Sequence, residues 1–274
     1  MLDGWQAVLD GDPPPEVAAE RTRLLERATT ITAELKPQTW TRRGDAPSET
    51  PEPVDCSVEG SGFLSLYYLG VHSVASRCVR IVRYAGASSG AQAPFQQLLQ
   101  GEAQTIDTHL AHGLLCDRAK LGLLRAMYYA DAHWKALAGV LSARSDLDER
   151  LDNKMFVSVT QLGLRPRNRI FSAFPTAQLA AEVFYATGTA WTTCDGRWAT
   201  DGGVTNGCPH FDDGARRALV VRPMKAGLSM RMAAQFSMAE GVAAIERGQD
   251  DAARFFRGEP TAAIAWRDAG GSSR

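Results

Sequence analysis

The chain lacks most of what would tie it to a membrane span, a metal or a nucleic acid. No apolar run reaches the ~18 residues that a spanning helix needs, so no transmembrane helix is expected. The opening residues, MLDGWQAVLDGD, have neither a basic n-region nor an apolar h-region, so no signal peptide is expected. Cysteine is sparse: five residues, at 56, 78, 116, 194 and 208, with no C-x-x-C. An odd number at irregular spacing fits reduced thiols in a cytoplasmic protein better than a zinc site or a disulfide framework. No D-x-D-x-D-G loop occurs, so a calcium requirement is not expected. Charge is nearly balanced, with 30 Lys and Arg against 31 Asp and Glu, which argues against nucleic acid as a partner held by bulk charge. Histidine is also scarce, which limits the choice of a general base.

The rest of the composition is that of a globular domain. Apolar residues make up 45% and charged residues 22% of 274, ample for a buried core. Residues 1–54 read as an N-terminal appendage. Within it, residues 16–35 carry Val17, Leu24, Ala28, Ile31 and Leu35 at helical spacing behind Pro15, and residues 36–54 carry four prolines and read as a linker. Residues 55–260 read as the main domain and 261–274 as a flexible tail.

In the main domain, residues 55–59 form a strand candidate that meets the turn Gly60-Ser61-Gly62-Phe63. A helical pattern over 64–78 follows. An apolar β-branched run from Val79 then drives into Gly86-Ala87-Ser88-Ser89-Gly90, with a helix-compatible stretch behind it. Strand, helix, strand, helix implies parallel strands. Residues 102–150 predict two or three helices. Strands are predicted over 155–161, 168–173, 197–199 and 217–221, and helices over 177–186 and 230–247.

A glycine, any residue, serine, any residue and glycine between strand and helix is the pattern of a nucleophile elbow, whose tightness needs near-bare residues two before and two after the serine. Gly86 and Gly90 meet that need around Ser88; Ser89 would have Ala87 and Ala91 there. Such a nucleophile needs a base and an oxyanion site. For the second, the amides of Ser61, Gly62 and Phe63 are candidates, at a glycine turn that opens a helix. For the base, His72, His109, His112 and His133 fall in helical stretches and read as packing or surface residues. His210 remains a triad candidate with Asp201, and Asp201 acting directly is the alternative.

Three of these blocks, in order, resemble the patatin-like phospholipases: Gly60-Ser61-Gly62-Phe63 the oxyanion loop, Gly86-Ala87-Ser88-Ser89-Gly90 the elbow, and Asp201-Gly202-Gly203-Val204-Thr205-Asn206 the D-G-G segment. The likeness spans about residues 54–225. One departure is that Leu64 and Ser65 stand where the patatin loop often has Arg and Gly, closer to the animal triacylglycerol-lipase branch. The resemblance implies an α/β fold with a central, mostly parallel sheet flanked by helices in a three-layer α/β/α sandwich. It implies a lipid acyl hydrolase with Ser88 as nucleophile and Asp201 as base of a Ser–Asp dyad, with no cofactor. Lipid esters are the implied substrate, met at a membrane or lipid-droplet surface. A catalytically silent lipid-binding protein on the same scaffold is the other reading. Phe63, Tyr67, Phe95, Phe184, Tyr185, Trp191 and Trp198 are candidates to line an acyl groove, and Arg165, Arg167 and Arg169 read as a solvated basic face or as contacts to lipid phosphates.

Overall fold

The computed structural model describes residues 12–35, 51–120, 123–211, 213–233 and 236–268. Its centre is a sheet whose parallel strands lie in the order β3 (Met155–Gln161), β2 (Arg80–Ala87), β1 (Pro53–Val58) and β7 (Ala218–Val221). Every β1 residue after Pro53, and all of β7, is buried. Strands with no exposed face must be covered on both sides; β7 accordingly reads as a continuous apolar run, whereas β1 buries Asp55, which pairs with Arg83. Antiparallel strands flank this core. β4 (Arg167–Phe171) and β6 (Arg197–Asp201) both pair with β3, β5 (Thr192–Cys194) pairs with β6, and β8 (Ile264–Arg267) closes the far edge on β7. The fold is thus mixed α/β, with helices against a mostly parallel central sheet. Among the described residues no helix is long and apolar enough to cross a membrane.

The helices follow the crossovers: α1 (Pro15–Ala33), α2 (Ser65–Cys78), α3 (Ser89–Gln100), α4 (Glu102–Ala119), α5 (Leu123–Ser142), α6 (Leu147–Leu151), α7 (Ala177–Ala186), the short α8 (Gly203–Asn206) and α9 (Met238–Phe256). The helical appendage is not separate from the main domain. Val17, Leu24 and Ala28 of α1 are fully buried in the same core as the sheet. Gln249 of α9 ties the layer together: its Nε2 donates to Leu24 O at 2.8 Å and Ser73 Oγ at 3.2 Å, and its Oε1 accepts from Arg27 at 2.9 Å. The proline-rich linker reading falls mostly on residues 36–50, outside the described residues, and Pro53 and Val54 already belong to β1.

Strand ends shift by one or two residues, β4 to Arg167–Phe171 and β6 to Arg197–Asp201, and two larger differences stand beside them. The late helix starts at Met238, not at 230, because Ser237 and Glu240 form a reciprocal capping box; residues 230–233 are a separate 3-10 turn. The presumed flexible tail contains β8, whose Ile264, Ala265, Trp266 and Arg267 pair with β7, so backbone pairing holds it in place. Residues 269–274 lie outside the described residues.

α2 and α9 cross almost backbone to backbone. A Cβ on Gly70 would stand 1.9 Å from Ile245 O, and one on Gly248 2.1 Å from Tyr67 O. Gly248→Ala is expected to destabilise the protein by about 1–3 kcal/mol through overpacking. Gly139 of α5, with nothing within 4 Å of its would-be Cβ, is the control. Gly139→Ala is expected to stabilise by up to ~1 kcal/mol through helix propensity. Urea unfolding measures both.

Candidate active site

Ser88 sits where β2 ends and α3 begins, with φ 54° and ψ −138°. That backbone is suited to glycine, and a side chain held there costs of order 1–3 kcal/mol. The glycines around it make the turn possible. A Cβ on Gly86 would meet Gly90 O at 2.1 Å, and one on Gly90 would meet the Val58 and Glu59 carbonyls at 2.6 Å. The elbow therefore presses against β1 as well as on itself, and the frame is on Ser88.

A residue with no motif signal holds the strained turn. Thr187, fully buried just beyond α7, accepts the Ser88 N–H on its hydroxyl at 2.9 Å and donates that hydroxyl to Ser158 O at 2.7 Å. Its carbonyl accepts the Gly202 N–H at 3.3 Å, and the Thr189 carbonyl accepts the Asp201 N–H at 2.8 Å. One short segment thus fastens the serine and the aspartate. Sequence reasoning passes over Thr187 because a buried threonine behind a helix has no pattern of its own.

Asp201 ends β6 opposite Val159 of β3. The strand closes down there because Gly202 has no side chain: a Cβ would stand 2.0 Å from Ser158 O. The Gly203 N–H donates to Asp201 Oδ1 at 2.7 Å and orients the carboxylate. Burial raises the Asp201 pKa above the ordinary carboxylate value; the facing Ser88 hydroxyl and the Gly203 amide lower it, but less. The result is a carboxylate more basic than one in water, beside a serine hydroxyl. His210 stands half-buried in the segment beyond α8.

The glycine loop supplies amides at the same end of the sheet. Gly60 N–H is taken up by Gly207 O at 2.8 Å, and Ser61 N–H by Ser89 Oγ at 3.2 Å. Ser61 is therefore engaged in bracing the loop against the elbow. Gly62 and Phe63, at the first turn of the 3-10 helix that leads into α2, line the pocket with Ser88 and Ser89. First-turn amides have no intrahelical acceptor, so those of Gly62, Phe63 and of Ser89 at the start of α3 are candidate donors to an oxyanion. Ser89 was not expected as a donor. The rule that the residue after an elbow nucleophile offers its amide would have found it.

The pocket over Ser88 encloses about 170 Å³. Phe63 and Trp134 form its apolar wall, with Gln92, Asp131 and Tyr185 as polar groups. Tyr185 OH donates to Asp131 Oδ1 at 2.7 Å, and Lys135 pairs with Asp131 at 2.8 Å. Behind the wall, Phe63 stacks on His112 with centroids 4.4 Å apart and tilts against Phe236 at 5.0 Å. Burial lowers the pKa of His112 to about 3 and of His109 to about 4, so both are neutral packing surfaces. Of the expected groove residues, Phe63 and Tyr185 reach the pocket. Tyr67, Phe95 and Phe184 are buried in the core, and Trp191 and Trp198 are exposed. His72 bonds Tyr84 OH through Nε2 at 3.0 Å; the side chain of His133 is outside the described residues. No group of three His, Cys, Asp or Glu among the described residues could hold a metal ion.

Two outcomes follow from this geometry. Thr187→Val removes a fully buried acceptor and leaves the Ser88 N–H unpaired, so it is expected to cost about 1–3 kcal/mol in urea unfolding, with Thr187→Ser restoring most of it. Asp201 has a raised pKa in the folded state, so the native protein binds its proton more tightly than the unfolded chain does. Wild-type stability should fall as pH rises through the interval from the unfolded Asp value, about 3.9, to the higher folded one. Asp201→Asn should therefore be the more stable form near neutral pH, and this advantage should shrink on acidification below that interval. Thermal unfolding across pH tests the sign.

Among known proteins, the chain matches no family model and no curated sequence.

Proposed function

We propose that the protein is a carboxylic ester hydrolase of the patatin-like type, acting on lipid acyl esters through a Ser88–Asp201 dyad. The observation that carries the reading is the strained elbow: Ser88 at positive φ, its hydroxyl facing a carboxylate whose basicity burial has raised. Strain of that kind persists where the surroundings over-determine it, and it clusters at catalytic positions.

The steps balance with this chain's own groups. Asp201 takes the proton of Ser88 Oγ as that oxygen attacks the acyl carbonyl carbon. The carbonyl oxygen becomes an oxyanion within reach of the Gly62, Phe63 and Ser89 amides. Collapse breaks the bond to the alcohol oxygen, which leaves with the proton from Asp201. Water then attacks the acyl-serine, giving one proton to Asp201, and the second collapse releases the carboxylic acid and returns that proton to Ser88. A buried base suits this scheme, since a carboxylate of ordinary pKa is a poor acceptor from a serine hydroxyl.

The substrate class is proposed from the resemblance and from the apolar wall of Phe63 and Trp134. A cytoplasmic location with peripheral contact to membrane or lipid-droplet surfaces is part of the proposal. It is supported by five free cysteines, four of them buried.

Ser88→Ala and Asp201→Asn are each expected to lower kcat/KM on short and medium p-nitrophenyl esters by three orders of magnitude or more, with labelling by a fluorophosphonate probe lost in Ser88→Ala. In the wild type, kcat/KM should fall as pH drops through the raised Asp201 pKa, so its acid limb should lie above the usual value of about 3.9. Undiminished turnover in both variants overturns the dyad.

A further inference from the structure

We propose that the tips of the β3–β4 and β5–β6 hairpins form a docking surface for an anionic phospholipid bilayer. This builds on the hydrolase reading and names the surface on which the substrate would be met.

The register fixes where these tips stand. Ala87, one residue before the nucleophile, pairs with Ser158. β3 then runs on to Gln161, and the Leu162 N–H donates to Trp198 O at 2.8 Å. At about 3.3 Å per residue, the hairpin ends overhang the level of Ser88 by roughly 10–15 Å, at the same end of the sheet. Asp201 lies on the same strand as Trp198, and the pocket residue Gly188 shortly precedes Trp191.

The overhang is built of two residue types. At the tips Leu164 is fully exposed, at 108%, and Trp198 is 64% exposed; Trp191, just before β5, lies nearer the level of Ser88 and is 73% exposed. These are among the most exposed large apolar side chains of the described residues. Around them Arg165, Arg167 and Arg197 are exposed, and no described acid pairs with them. The acids nearby are already engaged: Asp195 pairs with Arg169, and Glu182 accepts the Asp195 amide and the Gln178 side chain. The tips are therefore locally cationic on a chain whose net charge is −1. Arginines beside exposed tryptophan and leucine suit a headgroup region of negative charge, where the indole rings sit between water and acyl chains. A nucleic acid would gain from the arginines but would leave Leu164 in water.

The test is co-sedimentation with phosphatidylcholine vesicles, with and without phosphatidylglycerol, on the Ser88→Ala protein so that hydrolysis does not intrude. The expected result is binding that rises with phosphatidylglycerol and falls with salt. Arg165→Gln/Arg167→Gln should reduce partitioning about thirtyfold. Leu164→Asp and Trp198→Ser should reduce it even at low salt. None of these side chains is buried, and each substitution, made also in the chain that retains Ser88, is expected to keep the wild-type unfolding temperature and p-nitrophenyl ester turnover. No binding to anionic vesicles, or equal binding by all variants, overturns the proposal. So does a DNA duplex bound through these arginines where vesicles are not, or self-association that Leu164→Asp abolishes. Loss of ester turnover in Ser88→Ala bears on the dyad alone and vesicle binding on the surface alone, so the two readings fail separately.

Discussion

The site depends on a strained backbone held in place from outside its own turn. Ser88 occupies a conformation that its side chain disfavours, and the local sequence cannot hold it there alone. Its amide is satisfied by Thr187, which is braced in turn on Ser158 of the neighbouring strand. The Thr187 carbonyl and the Thr189 carbonyl then take the amides of Gly202 and Asp201. Ser88 and Asp201 come from strands far apart in the chain, and a three-residue segment behind α7 sets them against each other. Because buried backbone groups must be paired, displacing this segment would leave donors unmet on both sides at once.

Electrostatics and packing divide the work around this brace. Asp201 has a single backbone donor and the serine hydroxyl to offset the cost of its burial, and desolvation wins. More donors would make a better-satisfied carboxylate and a weaker base. On the opposite wall, His109 and His112 are buried as neutral rings, and His112 stacks flat on Phe63. That stack fixes the side chain of a residue that lines the pocket, so the aromatic layer positions the loop while adding no charge to compete with Asp201.

Much of this was legible in the sequence because it was local. The elbow, the glycine loop and the D-G-G turn each need bare residues at fixed offsets, and steric need leaves a pattern: Gly86, Gly90 and Gly202 all stand where a Cβ would strike a carbonyl. Met155–Gln161 and Ala177–Ala186 were readable for a similar reason, since a β-branched run and a helical apolar stripe declare their own period. What could not be read was set by tertiary contact. Thr187 matters through partners on other strands. Ser61 differs from Gly62 only because its amide meets Ser89 Oγ. β5 and β8 are three and four residues long, too short for a period, and exist because a neighbouring strand offers its edge. The start of α9 is legible in the sequence, as Ser237 and Glu240 stand at capping-box spacing.

The hairpin tips raise a question of economy. β4 is an edge strand, and natural sheets guard such edges with charge, so Arg167 and Arg169 have a reason to be there whatever the protein binds. Edge protection does not account for Leu164, which lies beyond the paired residues, nor for Trp198, whose strand is already paired on both sides by β3 and β5. Leaving such side chains in water forgoes burial of the order of 2 kcal/mol each. A sheet that only needed its edge closed would carry polar residues at those places. Charge at the edge with apolar residues at the tip is the combination that the proposed docking to an anionic bilayer would use, at the end of the sheet where the serine lies.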